Sequence, residues 1–552
     1  MKKTSYLRRM TGWLMVAVLV AATLPFAVSA EQAPVKNVIV LMSDGTGSTH
    51  TTLARWYKGA PLSLDEILVG GVRTYGAESI ITDSAPAATA FATGYKTSDK
   101  FIGILPDKIT TPGIAQLEEA LKTKPVPSVL EGAKLSGRAT GLVATSNIQH
   151  ASPASFSAHW PDRNNYNEIA EQQVYLGVDV VLSGGQKYLL PREQGGQRVD
   201  GENLVDVLKA KGYGIVNTQD EMIKFSGKKL WGLFAADAMA YDADRQQLAP
   251  TEPSLAEMTN KAIEILSQNK NGFFLFVEAS KVDWASHAND PKGVVCDVLA
   301  YDAAVQAALN FAKQDGHTLV LAFSDHGNGG MSIGSKATDA TYSKTTLESL
   351  IVPLKKAVLT GEGIEGVLNG NKEEPAIRLA MSEYYGIDDL TIDEITAIQT
   401  AKKGNMSAVV GPMLSKRSVI GWTTNGHSGE DLFFYAYGPS HPVGLIENTD
   451  IARISAKAMG FDLKQVDSKL FVEAGQAFGA IGASVSVDDT DTANKVLIVK
   501  KGLKRAEIPL SKNIITINAK SYEMNGIAVF VPRSGKVYLP QQAVELAQAA
   551  GF

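Results

Sequence analysis

The sequence predicts an α/β protein: a mostly parallel central sheet flanked by helices, with an inserted helical region and a small C-terminal α+β domain. Three observations predict it. Residues 37–42, 272–277 and 318–323 are continuous apolar runs of strand length, the pattern of strands buried on both faces. Helical stretches at about 254–268 and 294–311 lie between them, and strand–helix alternation builds a parallel sheet. Acids and histidines recur where the runs end, at Asp44, Glu278, Asp325 and His326. Open α/β sheets bind ligands at the C-terminal ends of their strands, and charges buried there are costly unless paired or metal-bound.

The 552 residues suffice for at least two domains. A hydrophobic content of 45% and a charged content of 20% are those of a globular protein, and the net charge of −5 offers no basic surface for nucleic acid. At the start, Lys2, Lys3, Arg8 and Arg9 precede an apolar run at 13–24, and Val28, Ser29 and Ala30 precede Glu31. This is the layout of a signal peptide cleaved after Ala30. The run is short for a span and Pro25 ends it. No later stretch reads as a membrane span, so the expected mature chain is exported: extracellular, wall-associated or periplasmic. The one cysteine, Cys296, cannot form an internal disulfide and reads as a small buried hydrophobe.

Taken in order, residues 31–462 form the main domain. Its first strand ends in Asp44, Gly45, Thr46 and Gly47, without the third glycine of a dinucleotide fingerprint. A strand at 141–145 leads to His150, Ser152 and Pro153, and Arg163 follows eleven residues after Ser152. Strand and turn repeat at 178–185, and a late strand reads at 433–438. Between about 329 and 419 the pattern turns helical, as an insertion over the strand ends or a subunit contact. Residues 463–552 form the small C-terminal domain, in which 469–472 and 536–540 look like two copies of one element, each followed by a short helix.

The chain is organised around residues 82–94. Asp83 and Ser84 precede an Ala-rich run with Pro86 near its start and Gly94 at its end, which reads as a capped helix. A serine hydroxyl there faces free N–H groups and the positive end of the macrodipole, both favourable to an anion. It serves either as a plain N-cap or as a nucleophile, and the acids and histidines elsewhere favour the second. Asp283 and His287 stand four residues apart after Glu278 and share a helix face that can grip one cation. Mixed Asp and His ligands suit zinc, whereas all-oxygen sets suit magnesium or calcium. His427 lies between glycines, next to Ser428 and close to Glu430.

With these motifs in this order, the chain resembles the alkaline phosphatases from about residue 37 to about residue 438. The resemblance implies that Ser84 is the serine that becomes phosphorylated. It implies that Asp283, His287 and His427 hold a first zinc and that Asp44, Asp325 and His326 hold a second. Glu278 and Ser152 would join Asp44 around a magnesium, and Arg163, expected to be exposed in the site, would grip the phosphate. The implied activity is hydrolysis of phosphate monoesters, releasing inorganic phosphate, by a homodimer. Pro86 departs from the very small residue usual there, and Ser152 from the common threonine. His150 and Trp284 stand where members vary, which leaves the third metal open. Residues 463–552 resemble the copper amine oxidase N-terminal-like repeat and contain no metal-ligand set, which implies a structural or wall-associating appendage. Two other readings exist. A phosphodiesterase or sulfatase of the same superfamily is one, although Ala88 stands where the sulfatase pattern has arginine. A non-catalytic metal- or wall-binding protein is the other, and Ser84 and Arg163 argue against it.

Overall fold

Strand β1 (Asn37–Ser43) is buried along its whole length. Val38, Val40 and Met42 enter one apolar cluster, while Ile39 and Leu41 enter another on the opposite face. A period of two with no polar side is what a central strand covered on both faces requires. The computed structural model describes residues 34–552, so the signal-peptide layout at 1–30 lies outside the described residues.

Nine further strands complete the central sheet: β2 (Leu68–Arg73), β3 (Ala139–Asn147), β4 (Val180–Gly184), β5 (Gly214–Val216), β6 (Leu230–Leu233), β7 (Phe273–Ala279), β8 (Thr318–Phe323), β9 (Leu432–Tyr437) and β10 (Gly444–Glu447). Their order across the sheet is β10-β2-β9-β8-β1-β7-β3-β4-β6-β5. From β8 to β5 every pairing is parallel; β9 runs antiparallel to β8 and β2, and β10 parallel to β2. Register positions the chemistry. Met42 lies opposite Glu278 on β7 and opposite Phe323 on β8, so Asp44, Glu278 and Asp325 emerge together at the C-terminal end of the sheet.

Five helices matter to the site: α1 (Ser84–Thr93), α2 (Ala151–Ser155), α3 (Leu255–Leu266), α4 (Lys281–His287) and α5 (Pro291–Asp315). Helix α1 covers one face of the sheet; α3 and α5 cover the other. Ser254 and Glu257 close a capping box on α3, and Asp290 caps α5 by accepting from the N–H groups of Lys292 and Gly293. By length and composition α5 could cross a membrane, but most of it is buried within the protein, against α3 and the sheet. Cys296 on α5 is half-buried beside Lys292, and desolvation pushes its thiol up to about 12, so it is an inert thiol.

The insertion is helical, as the sequence predicts. Helices Leu347–Lys356, Gly361–Leu368, Glu374–Tyr385, Ile392–Thr400 and Met406–Arg417 share an apolar cluster with Val294, Val295 and Val298 of α5 and Val282 and Ala285 of α4. The C-terminal domain holds a five-stranded antiparallel sheet and a three-stranded one. Val472–Glu473 pairs with Lys536–Leu539, and each is followed by a helix, but the two stretches read as copies differ: 469–470 end a helix whereas 536–539 are strand. The domain has its own core, yet Leu470, Phe471, Val529 and Tyr538 belong to the main one. It is packed on, not tethered.

Candidate active site

Helix α1 carries Ser84 as its first residue, and every residue of the helix is buried. Phe91 anchors it, its ring 5.0 Å from Phe323 of β8 and 6.4 Å from Phe276 of β7. The start of α1 is thereby held over the strand ends. Pro86 sits in the first turn, where N–H groups have no partner within the helix, so its missing donor costs little. The capping role suggested for Asp83 is not observed: its side chain makes no cap bond and instead accepts from Arg163 Nη1 at 2.7 Å. A guanidinium is the stronger partner for a carboxylate.

Ser84 Oγ lies 3.1 Å from His326 Nε2. Around it the predicted ligands gather. Asp283, His287 and His427 form one set, and Asp44, Asp325 and His326 a second; within each, the ligand atoms lie within 4.8 Å of one another. Asp44 also groups with Glu278 and His150. Sequence reasoning placed Ser152 with Asp44 and Glu278 but gave His150 no ligand role. His150 immediately precedes α2, two residues from Ser152, and that proximity was the available signal.

The three implied zinc-site histidines are oriented alike. Nδ1 of His287 contacts Asn425 O at 2.6 Å, Nδ1 of His427 contacts Thr82 O at 2.8 Å, and Nδ1 of His326 contacts Gly327 O at 3.2 Å. A carbonyl oxygen only accepts, so each Nδ1 carries a hydrogen and each Nε2 is turned to the cluster, the atom that would ligate a metal. On His287 the Asp283 carboxylate holds a hydrogen there too, pushing the imidazole up to about 9 despite its burial. Helix α4 supplies Asp283 and His287 from one face, with His287 Nε2 3.4 Å from Asp283 Oδ2. Asn328 Nδ2 donates to Asp283 Oδ1 at 2.6 Å. Gly45 is required where it stands. Its φ is +67°, and a Cβ there would lie 2.7 Å from Asp283 Cα and Oδ1.

The electrostatics fit cations. Both Oδ atoms of Asp44, Glu278 Oε1, Asp325 Oδ2, Ser152 Oγ and His150 Nδ1 are buried without a hydrogen-bond partner. Burial, with repulsion from Asp325 and other carboxylates, pushes Asp44 well above the usual carboxylate range. Burial and Asp325 push Glu278 up to about 8, and burial and Asp283 push Asp325 up to about 7. Burial would raise Asp283 as well, but the His287 hydrogen bond and the neighbouring imidazoles hold it below the usual range. Divalent cations relieve such crowding by pairing with the charged carboxylates. Glu171, Asp200 and Glu202 also lie together, but Lys512 pairs with Glu171 and Glu202, and Arg198 with Asp200. That group is an ion-pair network joining the C-terminal domain to the main one.

Arg163 is less open than the sequence suggests. Its side chain is 15% exposed, with Nη1 on Asp83 and Nη2 donating to His150 Nε2 at 2.8 Å. Burial and the Arg163 charge pull His150 down to about 3, so its imidazole is neutral, and Trp284 packs edge-on against it at 5.8 Å. A cavity of about 230 Å³ opens beside the start of α1, lined by Thr82, Asp83, Pro86, Asp99 and His427 among others. It has room for a small substrate's alcohol.

Partnerless carboxylates and inward-facing imidazoles at the strand ends, beside a helix-start serine, define a metal-dependent hydrolase. The chain belongs to the alkaline phosphatase family, whose family model matches residues 35–461. It is 36% identical over 452 residues to alkaline phosphatase 3 of Bacillus subtilis (strain 168), an alignment covering 78% of this chain and 91% of that one. The crystal structure of Thermus thermophilus alkaline phosphatase matches with a TM-score of 0.68 at 28% identity, over 80% of this chain and 96% of that one. A mutant of the alkaline phosphatase from the Antarctic bacterium TAB5, with a histidine replaced by aspartate and Mg bound in its M3 site, matches with a TM-score of 0.56 at 27% identity, over 78% of this chain and all of that one. The chain is a phosphatase.

Proposed function

We propose that the chain is an exported phosphomonoesterase that passes the phosphoryl group of a monoester first to Ser84 and then to water. One observation carries this reading: Ser84 Oγ sits at a helix start, against His326, beside two ligand sets, with both carboxylate oxygens of Asp44 and one of Asp325 buried without a partner. Ser84 Oγ attacks phosphorus in line, the Oγ–P bond forming as the bond to the alcohol oxygen breaks; water then cleaves the phosphoserine. Asp283, His287 and His427 would hold one zinc, and Asp44, Asp325 and His326 the other. Zinc bound there supplies Lewis-acid charge for a serine that is a poor nucleophile at its free pKa.

The rest is derived from the chain. The carbonyls of Asn425, Thr82 and Gly327 keep the three imidazoles aimed inward. The N-terminus of α1 favours the dianionic phosphoryl group. Arg163 turns its planar fork from Asp83 to two non-bridging oxygens, a geometry lysine cannot match. Glu278 and Ser152, with Asp44, offer the hard oxygens that magnesium prefers, and His150 beside them draws the site toward a softer metal. Export is supported by the N-terminal layout. Homodimer formation is supported by Phe433 and Leu445, both exposed and both opposite Gly71 on adjoining strands.

The test is hydrolysis of a chromogenic phosphate monoester at alkaline pH, before and after chelation, with zinc and magnesium added back. Activity is expected to vanish with the chelator and return with zinc. Acid-quenched enzyme is expected to carry phosphate on Ser84, and Ser84→Ala to lose turnover while retaining metal. Full turnover by Ser84→Ala would remove Ser84 from the reaction.

A further inference from the structure

We propose that the β-hairpin tip at residues 500–505 docks this protein on an anionic lipid bilayer. The tip joins strands Val496–Lys501 and Lys504–Pro509, inner strands of the five-stranded C-terminal sheet, through a two-residue turn at Gly502 and Leu503.

Two of its features oppose folding. Lys500 stands directly opposite Arg505, and Lys501 directly opposite Lys504. Like charges placed so repel each other across the strands. Leu503 is 106% exposed and packs on nothing. The turn does not demand it: Gly502 supplies the left-handed φ of +59°, Leu503 is not left-handed, and the second position of such a turn accepts polar residues. Guarding an edge does not account for Lys500, which has strand partners on both sides, Ser484 and Arg505.

The tip is also held firmly. Lys501 Nζ donates to Ile481 O at 2.7 Å and Lys504 Nζ to Ala550 O at 3.1 Å, while Arg505 pairs with Glu507 at 2.9 Å. Four cations thus lie on six residues, with Glu507 the acid paired to them within hydrogen-bond distance. The surrounding domain shares this bias: residues 463–552 carry 11 Lys and Arg against 8 Asp and Glu, whereas the whole chain carries 53 against 58.

A fully exposed leucine flanked in sequence and register by four cations fits a bilayer with anionic headgroups. The side chain enters the acyl boundary while the cations meet lipid phosphates. A soluble polyanion would satisfy the cations but leave Leu503 in water, so the bilayer is the occupant these residues favour.

The test uses the chain from Glu31 onward, so that the apolar run at 13–24 cannot carry the result. It is sedimented with vesicles of phosphatidylcholine alone and of phosphatidylcholine mixed with phosphatidylglycerol. Binding is expected only to the anionic vesicles, weakening as salt rises. Leu503→Ser, a water-facing change that suits the turn, should weaken partition roughly tenfold or more. The double substitution Lys500→Gln with Arg505→Gln should weaken it by a similar factor and flatten the salt dependence. Both variants should retain phosphatase activity, which reports that they are folded. Equal binding to neutral vesicles, or no binding at all, would overturn the proposal. So would unweakened binding by Leu503→Ser, and full competition by polyphosphate in that variant would make the tip a polyanion site instead.

Discussion

Replacing Arg163 by alanine removes the guanidinium beside Ser84 and measures what it contributes to phosphate binding. In the structure both its terminal nitrogens are engaged, Nη1 with Asp83 and Nη2 with His150, and the side chain is 15% exposed. A phosphate therefore exchanges with an existing ion pair instead of with water alone. A hydrogen bond to a charged group contributes about 1.5–3 kcal/mol. Each terminal nitrogen carries two hydrogens, so Nη2 can bond phosphate while keeping His150; two such bonds to phosphate, less the one surrendered by Asp83, leave about 1.5–3 kcal/mol. That corresponds to a loss of affinity of roughly 10- to 150-fold. Arg163→Ala should raise the inhibition constant of inorganic phosphate by that factor, read from initial rates on a chromogenic monoester. The fold should survive at a lower Tm, because Asp83 is 30% exposed and water can take over its solvation. Arg163→Lys should fall between, keeping the charge and losing the fork. An unchanged inhibition constant in a folded Arg163→Ala protein would refute the reasoning.

Two other outcomes follow from particular contacts. Gly45→Ala forces a Cβ to within 2.7 Å of Asp283 at a left-handed φ, so the variant should keep its circular dichroism spectrum and lose bound metal by elemental analysis. Full metal content would show that the strand end yields more readily than α4 allows. Glu171 is pushed up to about 7 by burial, with Lys512 only partly offsetting it. Its folded form therefore holds a proton that the unfolded chain has released between about pH 4.5 and pH 7, and stability falls as pH rises through that window. The loss is at most about 3 kcal/mol. Glu171→Gln should flatten that stretch and be the more stable protein at pH 8, as read from urea unfolding; a parallel curve would sink the assignment.

Much of this molecule is local pattern, and local pattern is what a sequence carries. The apolar runs of β1, β7 and β8 name themselves as strands because no polar side interrupts them. Asp283 and His287 share a face of α4 because a helix turns every 3.6 residues. Ser84 begins α1 because proline tolerates a first turn and glycine ends a last one. The division of the acids and histidines into metal sets came with the family resemblance; in the structure Asp283, His287 and His427 lie together, as do Asp44, Asp325 and His326, while His150 joins Asp44 and Glu278. Tertiary structure decided the rest. Asp44, Glu278 and Asp325 meet because Met42 is in register with Glu278 and Phe323, a pairing across more than two hundred residues of chain. Asp83 forsakes the helix cap, and Arg163 is drawn inward, because the packing of the chain around α2 sets a guanidinium between Asp83 and His150. His150 reaches the third cluster by the same placement, and Lys512 finds Glu171 and Glu202 only when the C-terminal domain packs down. Periodicity within a strand or helix is set by neighbours along the chain. Which side chains face one another from distant segments is set by sheet register and helix packing, and those belong to the fold as a whole.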